Sequence, residues 1–292
     1  MAIQDKKKRE FSYMKNLKIA FCWEWERAKE IEPNWRDGLR AALELIGKKH
    51  TVDWYLGEEP KGDYDWIITW CDSNTKYSRF FFNHPAKRGI FLTTHPSNHH
   101  NLQGFDVVFC ESEPIYDEVR MYGIHAVKAF GTDDAFFCPD GRETDIPYFY
   151  PATFSPWKRQ QDIAHLKENL TCIGTIQPDG MDEYNSCLQS GVNVKVGYFP
   201  PDVILDYYRR SESVVIPAVH GSERTVLESM SCGILPEVTN PQNIRAKSYI
   251  NECVESGLSP REFIQKYYSA KVYAKNILKG LKDEDFSDNS MF

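Results

Sequence analysis

The sequence predicts an α/β protein of two consecutive units, each a parallel sheet with helices on its faces. Three observations carry this expectation. Short runs rich in Val, Ile and aromatic residues alternate with segments of helical spacing, the pattern of strands buried on both sides. The rhythm breaks once, over "GTDDAFFCPDGRETDIP" (131–147), where Gly, Asp and Pro gather into a linker. At 292 residues the chain has the length of about two domains, each able to bury a core. The expected division is 1–140 and 141–292.

In the first unit, "NLKIAFCW" reads as a strand, and "NWRDGLRAALELIGKKH" reads as an amphipathic helix closed at Gly47. The runs "TVDWYL", "YDWIITW", "GIFLTTH" and "DVVFCES" follow as strands by their β-branched and aromatic content. The second unit opens with "PYFYPATF" and continues with "NLTCIGTI", "NVKVGYF" and "SVVIPAV". Between the last two, "PPDVILDYYRRS" reads as a helix with Pro201 in its first turn. The final helix is signposted by Ser259 as cap, Pro260 at its start and Glu262 completing a capping box. Its apolar residues run from Phe263 through Tyr267, Val272 and Ile277 to Leu281. A finished second sheet leaves them no partner, so this helix is expected to cross back onto the first unit.

Composition narrows the function. Hydrophobic content of 41% and charged content of 26% are those of a soluble globular chain. A net charge of −7 argues against a surface coated for nucleic acid, though not against a local basic groove. No apolar stretch approaches the roughly 20 residues of a membrane span, and the N-terminus lacks the apolar core of a signal peptide. The basic run Lys6–Arg9 reads as a solvated tail, with attraction to phosphates or anionic lipids as the alternative. The eight cysteines form no CxxC pair, and Cys22 and Cys110 lie in strand-like runs. They read as small core residues in a reducing compartment, so the expected location is cytoplasmic.

The stretch "HGSERTVLESMSCGILPEV" (220–238) is the most informative. "SVVIPA" precedes it as a buried strand, and "TVLESMSCG" follows as a helix with Val226, Leu227 and Met230 on one side and Gly233 as its stop. Gly221–Thr225 therefore lies at the mouth of a strand-loop-helix unit, where backbone N–H groups and the positive end of a helix dipole meet solvent. An ordinary strand-to-helix turn has the same form.

Taken in order, several motifs resemble the group 1 glycosyl transferases, retaining enzymes of the glycosyltransferase family 4 type with the GT-B fold. The similarity spans about Lys18 to about Val238. "GTDDAFFCP" looks like that family's interdomain signature through Gly131, Asp133, Phe137 and Pro139. "VFCESEPIYDEVRMYGI" is similar to its Ser-Glu segment and following helix. "VKVGYFPPDVILDYYRRSESVVIPAVHGSERTVLESMSCGILPEV" looks like its donor-binding core. The resemblance implies two Rossmann-like domains facing across a cleft, the first for the acceptor and the second for a nucleotide-sugar donor, with the final helix crossing back.

It also implies roles. Glu228 matches the carboxylate that holds the ribose hydroxyls, a sound pairing because a diol donates and a carboxylate accepts. His220 stands where the family has a second Glu that contacts the donor sugar, so the sugar is left open. Gly221, Ser222, Glu223, Arg224, Thr225 and Val226 occupy the loop whose amides approach the sugar and diphosphate. Arg224 has two readings, a phosphate contact or a bond to a carboxylate of the protein. Lys158 matches a Lys that faces the diphosphate; the family's Arg falls on Thr153, with Arg159 as a neighbour able to compensate. Tyr198 and Phe199 match the base-packing position, and two aromatics after a strand also serve as core. His95 is the candidate for an active-site His in the first unit, with His99 and His100 close in register. The first loop, "WEWERAKEIEPNW", lacks the glycines the family has there; Glu24, Trp25 and Trp35 are instead acceptor-side candidates.

The reaction implied is transfer of a sugar from a nucleoside diphosphate, UDP-sugar first and GDP-sugar second, to an acceptor hydroxyl with retention. Lys158, Arg159 and a helix N-terminus are expected to neutralise the leaving diphosphate without a metal or other cofactor. The acceptor is open among a glycan, a lipid, a small molecule and a modified nucleobase in DNA. Two other readings stand beside it: a GT-B sugar-nucleotide epimerase, which needs an acid-base pair around the sugar, and a non-catalytic sugar-nucleotide binding protein.

Overall fold

The computed structural model describes residues 16–23, 35–70, 84–93 and 102–282. Two all-parallel sheets organise it. The first contains β1 (Lys18–Trp23), β2 (Thr51–Leu56), β3 (Trp66–Trp70), β4 (Lys87–Leu92), β5 (Val107–Cys110) and β6 (Ala126–Lys128) in the order β2-β1-β3-β4-β5-β6. The second contains β7 (Ile146–Pro151), β8 (Leu170–Gly174), β9 (Asn193–Val196), β10 (Ser211–Ile216) and β11 (Glu237–Val238) in the order β11-β10-β7-β8-β9. In each sheet the order reverses beside the strand that comes first in sequence, β1 or β7, the switch point where open α/β sheets bind ligands. The short strands β6 and β11 carry too little periodic sequence to be read in advance.

Helix α1 (Gly38–Gly47) starts at Asp37, whose carboxylate accepts from the Arg40 amide at 2.9 Å, and its Leu39, Ala42, Leu43 and Ile46 side is buried. α2 (Glu113–Met121) follows β5. The second unit adds α3 (Met181–Gln189), α4 (Pro201–Arg210), α5 (Glu223–Ser231) and α6 (Ile244–Ser256). Pro201 opens α4 as expected. The two largest hydrophobic clusters among the described residues belong one to each sheet. One joins Phe149, Tyr150, Tyr208, Val214, Val226 and Met230, the other Ile19, Phe21, Leu43, Ile68, Phe91 and Phe109.

The chain's end departs from the expected single helix. Ser259, Pro260 and Glu262 do form a capping box at α7 (Pro260–Phe263), and one π-turn follows over Ile264–Tyr268. Phe263 and Ile264 bury into the second unit's core. Ser269 is then extended (φ −66°, ψ 158°), and a separate helix α8 (Ala270–Lys282) begins. Tyr273, Ala274, Ile277, Leu278 and Leu281 of α8 pack on the first unit with β5 residues and α1. One straight helix cannot lie on both cores, so the backbone turns at Ser269. There the return strand meets the outgoing linker. Thr132 and Ser269 form a parallel bridge, and a side chain at Gly131 would sit 2.7 Å from the Tyr268 carbonyl oxygen. Only glycine fits so close an approach.

Cys110, Cys138, Cys172, Cys187, Cys232 and Cys253 are free thiols, and no helix among the described residues is long and apolar enough to cross a membrane.

Candidate functional site

Both sheets end on one cleft. A cavity of about 340 Å³ is lined by Trp70, Phe91, Thr93 and Glu111 at the C-terminal ends of β3, β4 and β5. Facing them are Pro151, Ala152 and Thr153 at the end of β7 and Ser222–Thr225 beyond β10. A second cavity of about 360 Å³ adjoins it, with Trp70, Pro151, Arg224 and Thr225 common to both.

The loop Gly221–Ser222 is shaped by two consecutive left-handed residues, φ +75° and +73°. Such a conformation is ordinary for Gly221 but strained for Ser222, and strain of this kind collects at functional loops. The Ser222 hydroxyl accepts from Lys158 Nζ at 2.9 Å, and a side chain at 221 would come within 3.2 Å of that nitrogen. Asn243, the N-cap of α6, anchors the loop by donating to the Gly221 and Ala218 carbonyls. The first ladder bond of α5 runs from the Val226 amide to the Ser222 carbonyl, which leaves residues 223–225 ahead of the ladder at the edge of the first cavity.

Lys158 lies in this first cavity, where burial lowers its pKa while the Glu223 carboxylate opposes the shift. An ammonium that has lost much of its hydration gains more from an incoming anion than a solvated one does. Glu223 itself does not face solvent. Its Oε1 lies 2.7 Å from Nε of the buried Arg245, in a contact not aligned as a hydrogen bond. Arg245 also pairs with Glu111 of the first unit and donates to the Thr93 carbonyl at 3.2 Å. Tyr249, one turn along α6, donates to the Glu111 carbonyl. A carboxylate at a helix N-terminus would repel an anion; Arg245 neutralises it and ties the two units together.

Arg224 stands between the cavities. Its side chain is half-exposed, meets the Asp37 carboxylate of the first unit at 3.3 Å and lies 5.9 Å from the Trp70 ring. Of its two sequence readings the structure displays the carboxylate bond, and it also leaves the guanidinium on the wall of both cavities.

Glu228 and the aromatics Tyr198 and Phe199 line the second cavity. Glu228 is 7% exposed, and burial raises its pKa to about 7, against the opposing pull of Arg224 and of the Tyr208 hydroxyl that donates to Oε2 at 3.2 Å. Tyr198 is 57% exposed, so it is no core residue. Trp35, Trp23 and Trp70 close the same cavity from the first unit.

Other expected residues lie elsewhere. Arg159 forms a two-pronged bond with Asp162 (3.0 Å each) on an exposed turn and lines neither cavity. Thr153 lines the first cavity with its hydroxyl 2.6 Å from that of Thr175. His220 is exposed and stacks on Trp157 at 6.3 Å, lining neither cavity. Val226 is buried in the core. His95, His99, His100, Glu24 and Trp25 lie outside the described residues. Sequence reasoning missed Asp37, Glu111, Tyr208 and Arg245. Arg245 had a signal in reach: Asn243 and Gly257 bracket "IRAKSYINECVES" as cap and stop of a helix.

No protein-family model matches the chain, and no curated protein matches it in sequence. Solved structures do. The chain is similar to AviGT4, a glycosyltransferase involved in Avilamycin A biosynthesis, with a TM-score of 0.61 at 12% identity over 91% of this chain and 97% of that one. It is similar to a trehalose-6-phosphate synthase studied for glycosyl transfer with retention, at 0.55 and 11% over 85% and 78%. A UDP-forming α,α-trehalose-phosphate synthase from Burkholderia xenovorans matches at 0.50 and 9% over 77% and 75%. At such identities the likeness is one of fold, and the fold is GT-B, with two Rossmann-like units.

Proposed function

We propose that this protein is a glycosyltransferase that takes a sugar from a nucleoside diphosphate, UDP-sugar before GDP-sugar, and passes it to an acceptor hydroxyl with retention. One observation carries the reading: Lys158, Arg224 and the N-terminus of α5 converge on one cavity, beside a second that holds a carboxylate and the exposed Tyr198. The first is built for a diphosphate, the second for a nucleoside.

In this arrangement the leaving diphosphate is met by the poorly hydrated Lys158 ammonium, the Arg224 guanidinium and the α5 amides. These groups are in place before the reaction, so little reorganisation accompanies the growing charge. The Glu228 carboxylate accepts from the ribose diol, and Tyr198 offers its face to the base. Retention follows if the acceptor attacks the face the diphosphate leaves, within an ion pair that these cations stabilise. The neutralising charge then comes from the chain itself, and turnover should survive EDTA. Glycosyltransferases of similar fold, one UDP-forming and one studied for retention, support this choice. The carboxylates lining the first cavity, Asp37, Glu111 and Glu223, each meet an arginine, which disfavours an epimerase needing free acid and base groups there.

The test is a panel of nucleotide sugars incubated with the protein and assayed for release of nucleoside diphosphate, with and without EDTA. One donor should be consumed slowly even without acceptor, since water intercepts an activated sugar. No turnover of any donor with a broad acceptor library, together with tight binding of UDP or GDP, would make this a binding protein. Loss of turnover in EDTA, restored by magnesium or manganese, would refute the metal-free arrangement.

A further inference from the structure

Strands β1 and β3 each finish on a tryptophan, Trp23 and Trp70, at the sheet edge that faces the cleft. Interior parallel strands are buried on both faces and favour aliphatic residues, so large indoles at two neighbouring strand ends call for a reason. Trp70 is nearly parallel to Trp23 (centroids 5.7 Å apart, planes 30°) and to Trp35 (6.1 Å, 29°). Trp23 and Trp35 lie 5.2 Å apart with their planes at 51°, so the three rings make a bent panel.

That panel lines the cavity that also holds Tyr198, Phe199 and Glu228 of the second unit. The cavity therefore has an aromatic wall on each side. Among the described residues the buried Trp35 indole nitrogen has no hydrogen-bond partner, although a buried indole N–H ordinarily finds one. Trp70 also borders the diphosphate cavity, and Arg224 lies over it, so the two compartments meet at this pair.

We propose that Trp23, Trp35 and Trp70 are the first unit's half of the nucleoside site, so that the donor's base and ribose are gripped from both units. This rests on the reading above and goes beyond it by moving Trp35 from the acceptor side to the donor side. Flat indole faces suit a nucleobase, and a base carbonyl is an acceptor of the kind the Trp35 N–H lacks. Contact with any base is sequence-tolerant, because every base has a π-face.

The experiment is calorimetric titration of UDP, GDP and inorganic pyrophosphate into wild type, Trp23→Leu, Trp35→Phe and Glu228→Ala. Trp23 lines the nucleoside cavity and not the diphosphate cavity, so Trp23→Leu should weaken the preferred nucleoside diphosphate roughly tenfold and leave pyrophosphate unchanged. Trp35→Phe keeps an aromatic ring in the core and removes the N–H; it should cost severalfold for the nucleotide alone. In wild type, nucleotide should quench tryptophan fluorescence and pyrophosphate should not, a readout that needs no folded variant. If Glu228→Ala weakens the nucleotide while both tryptophan variants bind normally and fluorescence is unmoved, the panel is packing and the proposal fails alone. Equal loss of nucleotide and pyrophosphate in the tryptophan variants overturns it as well. Failure of wild type to bind either nucleotide removes the reading it rests on, and the panel's role with it.

Discussion

The two units present opposite chemistry to the same cleft. The second brings cations and buried titratable groups: Lys158, Arg224, Arg245 and Glu228. The first brings indoles and carboxylates: Trp23, Trp35, Trp70, Asp37 and Glu111. Across the seam, each ion pair described here runs from an arginine of the second unit to a carboxylate of the first, Arg224 to Asp37 and Arg245 to Glu111. The difference teaches how one fold, repeated, divides its labour. In the proposed reaction, charge concentrated on one side would meet the anion, and an apolar wall on the other would lower the local dielectric and strengthen that contact.

The strongest way to break this comparison is at the seam. Arg245→Met leaves Glu111 and Glu223 buried without their cation, and removing one member of a buried ion cluster costs about 3–5 kcal/mol. Urea unfolding should show a loss of that size, and adding Glu111→Gln with Glu223→Gln should recover much of it. A loss under about 1 kcal/mol, the range of a solvent-screened pair, would show that Arg245 is not what joins the units.

Next is the charge asymmetry itself. Lys158→Met removes a charge-assisted bond worth roughly 1.5–3 kcal/mol to an anion, so UDP should bind about ten- to a hundred-fold more weakly by calorimetry. Thermal stability should hold, because burial already disfavours the charged lysine in the folded state. Unchanged UDP affinity would place the diphosphate elsewhere.

A pH profile sharpens the role of Glu228. Its pKa rises from 4.5 in the open chain to about 7 when folded, chiefly by burial. Between those values the folded state holds a proton that the unfolded state has released, so stability falls as pH rises through the window and levels off above about 7. If Glu228 holds the ribose as proposed, affinity for UDP should move the other way, rising with pH as its carboxylate ionises. Glu228→Gln should flatten both curves. A wild-type affinity that does not change between pH 5.5 and 8.5 would remove the carboxylate from the ribose.

The smallest effect is expected at Arg159. An exposed pair three residues apart contributes a few tenths of a kcal/mol, so Arg159→Ala should shift stability by no more than that and leave UDP affinity unchanged. A marked loss of affinity would mean that Arg159 leaves Asp162 for the diphosphate and that the second unit is more basic in use than at rest.

The sequence by itself determined the parts whose information is local. Strand and helix periods, the linker at 131–147, Pro201, the Ser259–Glu262 box and the loop at 221–225 are written in neighbouring residues, because propensity, capping and turn chemistry act over a few positions. Lys158, Glu228 and Tyr198 were named instead through the resemblance of the motifs that hold them to those of a known family. What only the tertiary structure decided depends on residues far apart in sequence. Arg245 meets Glu111 across the cleft, Asp37 takes Arg224, Trp35 joins Trp23 and Trp70, and Arg159 turns to Asp162. The bend at Ser269 is of this kind too, because where the last helix must break depends on two cores that a linear pattern treats as one stripe. Burial, which lifts Glu228 toward neutrality and lowers Lys158, is a property of packing, and no single stretch of sequence encodes it.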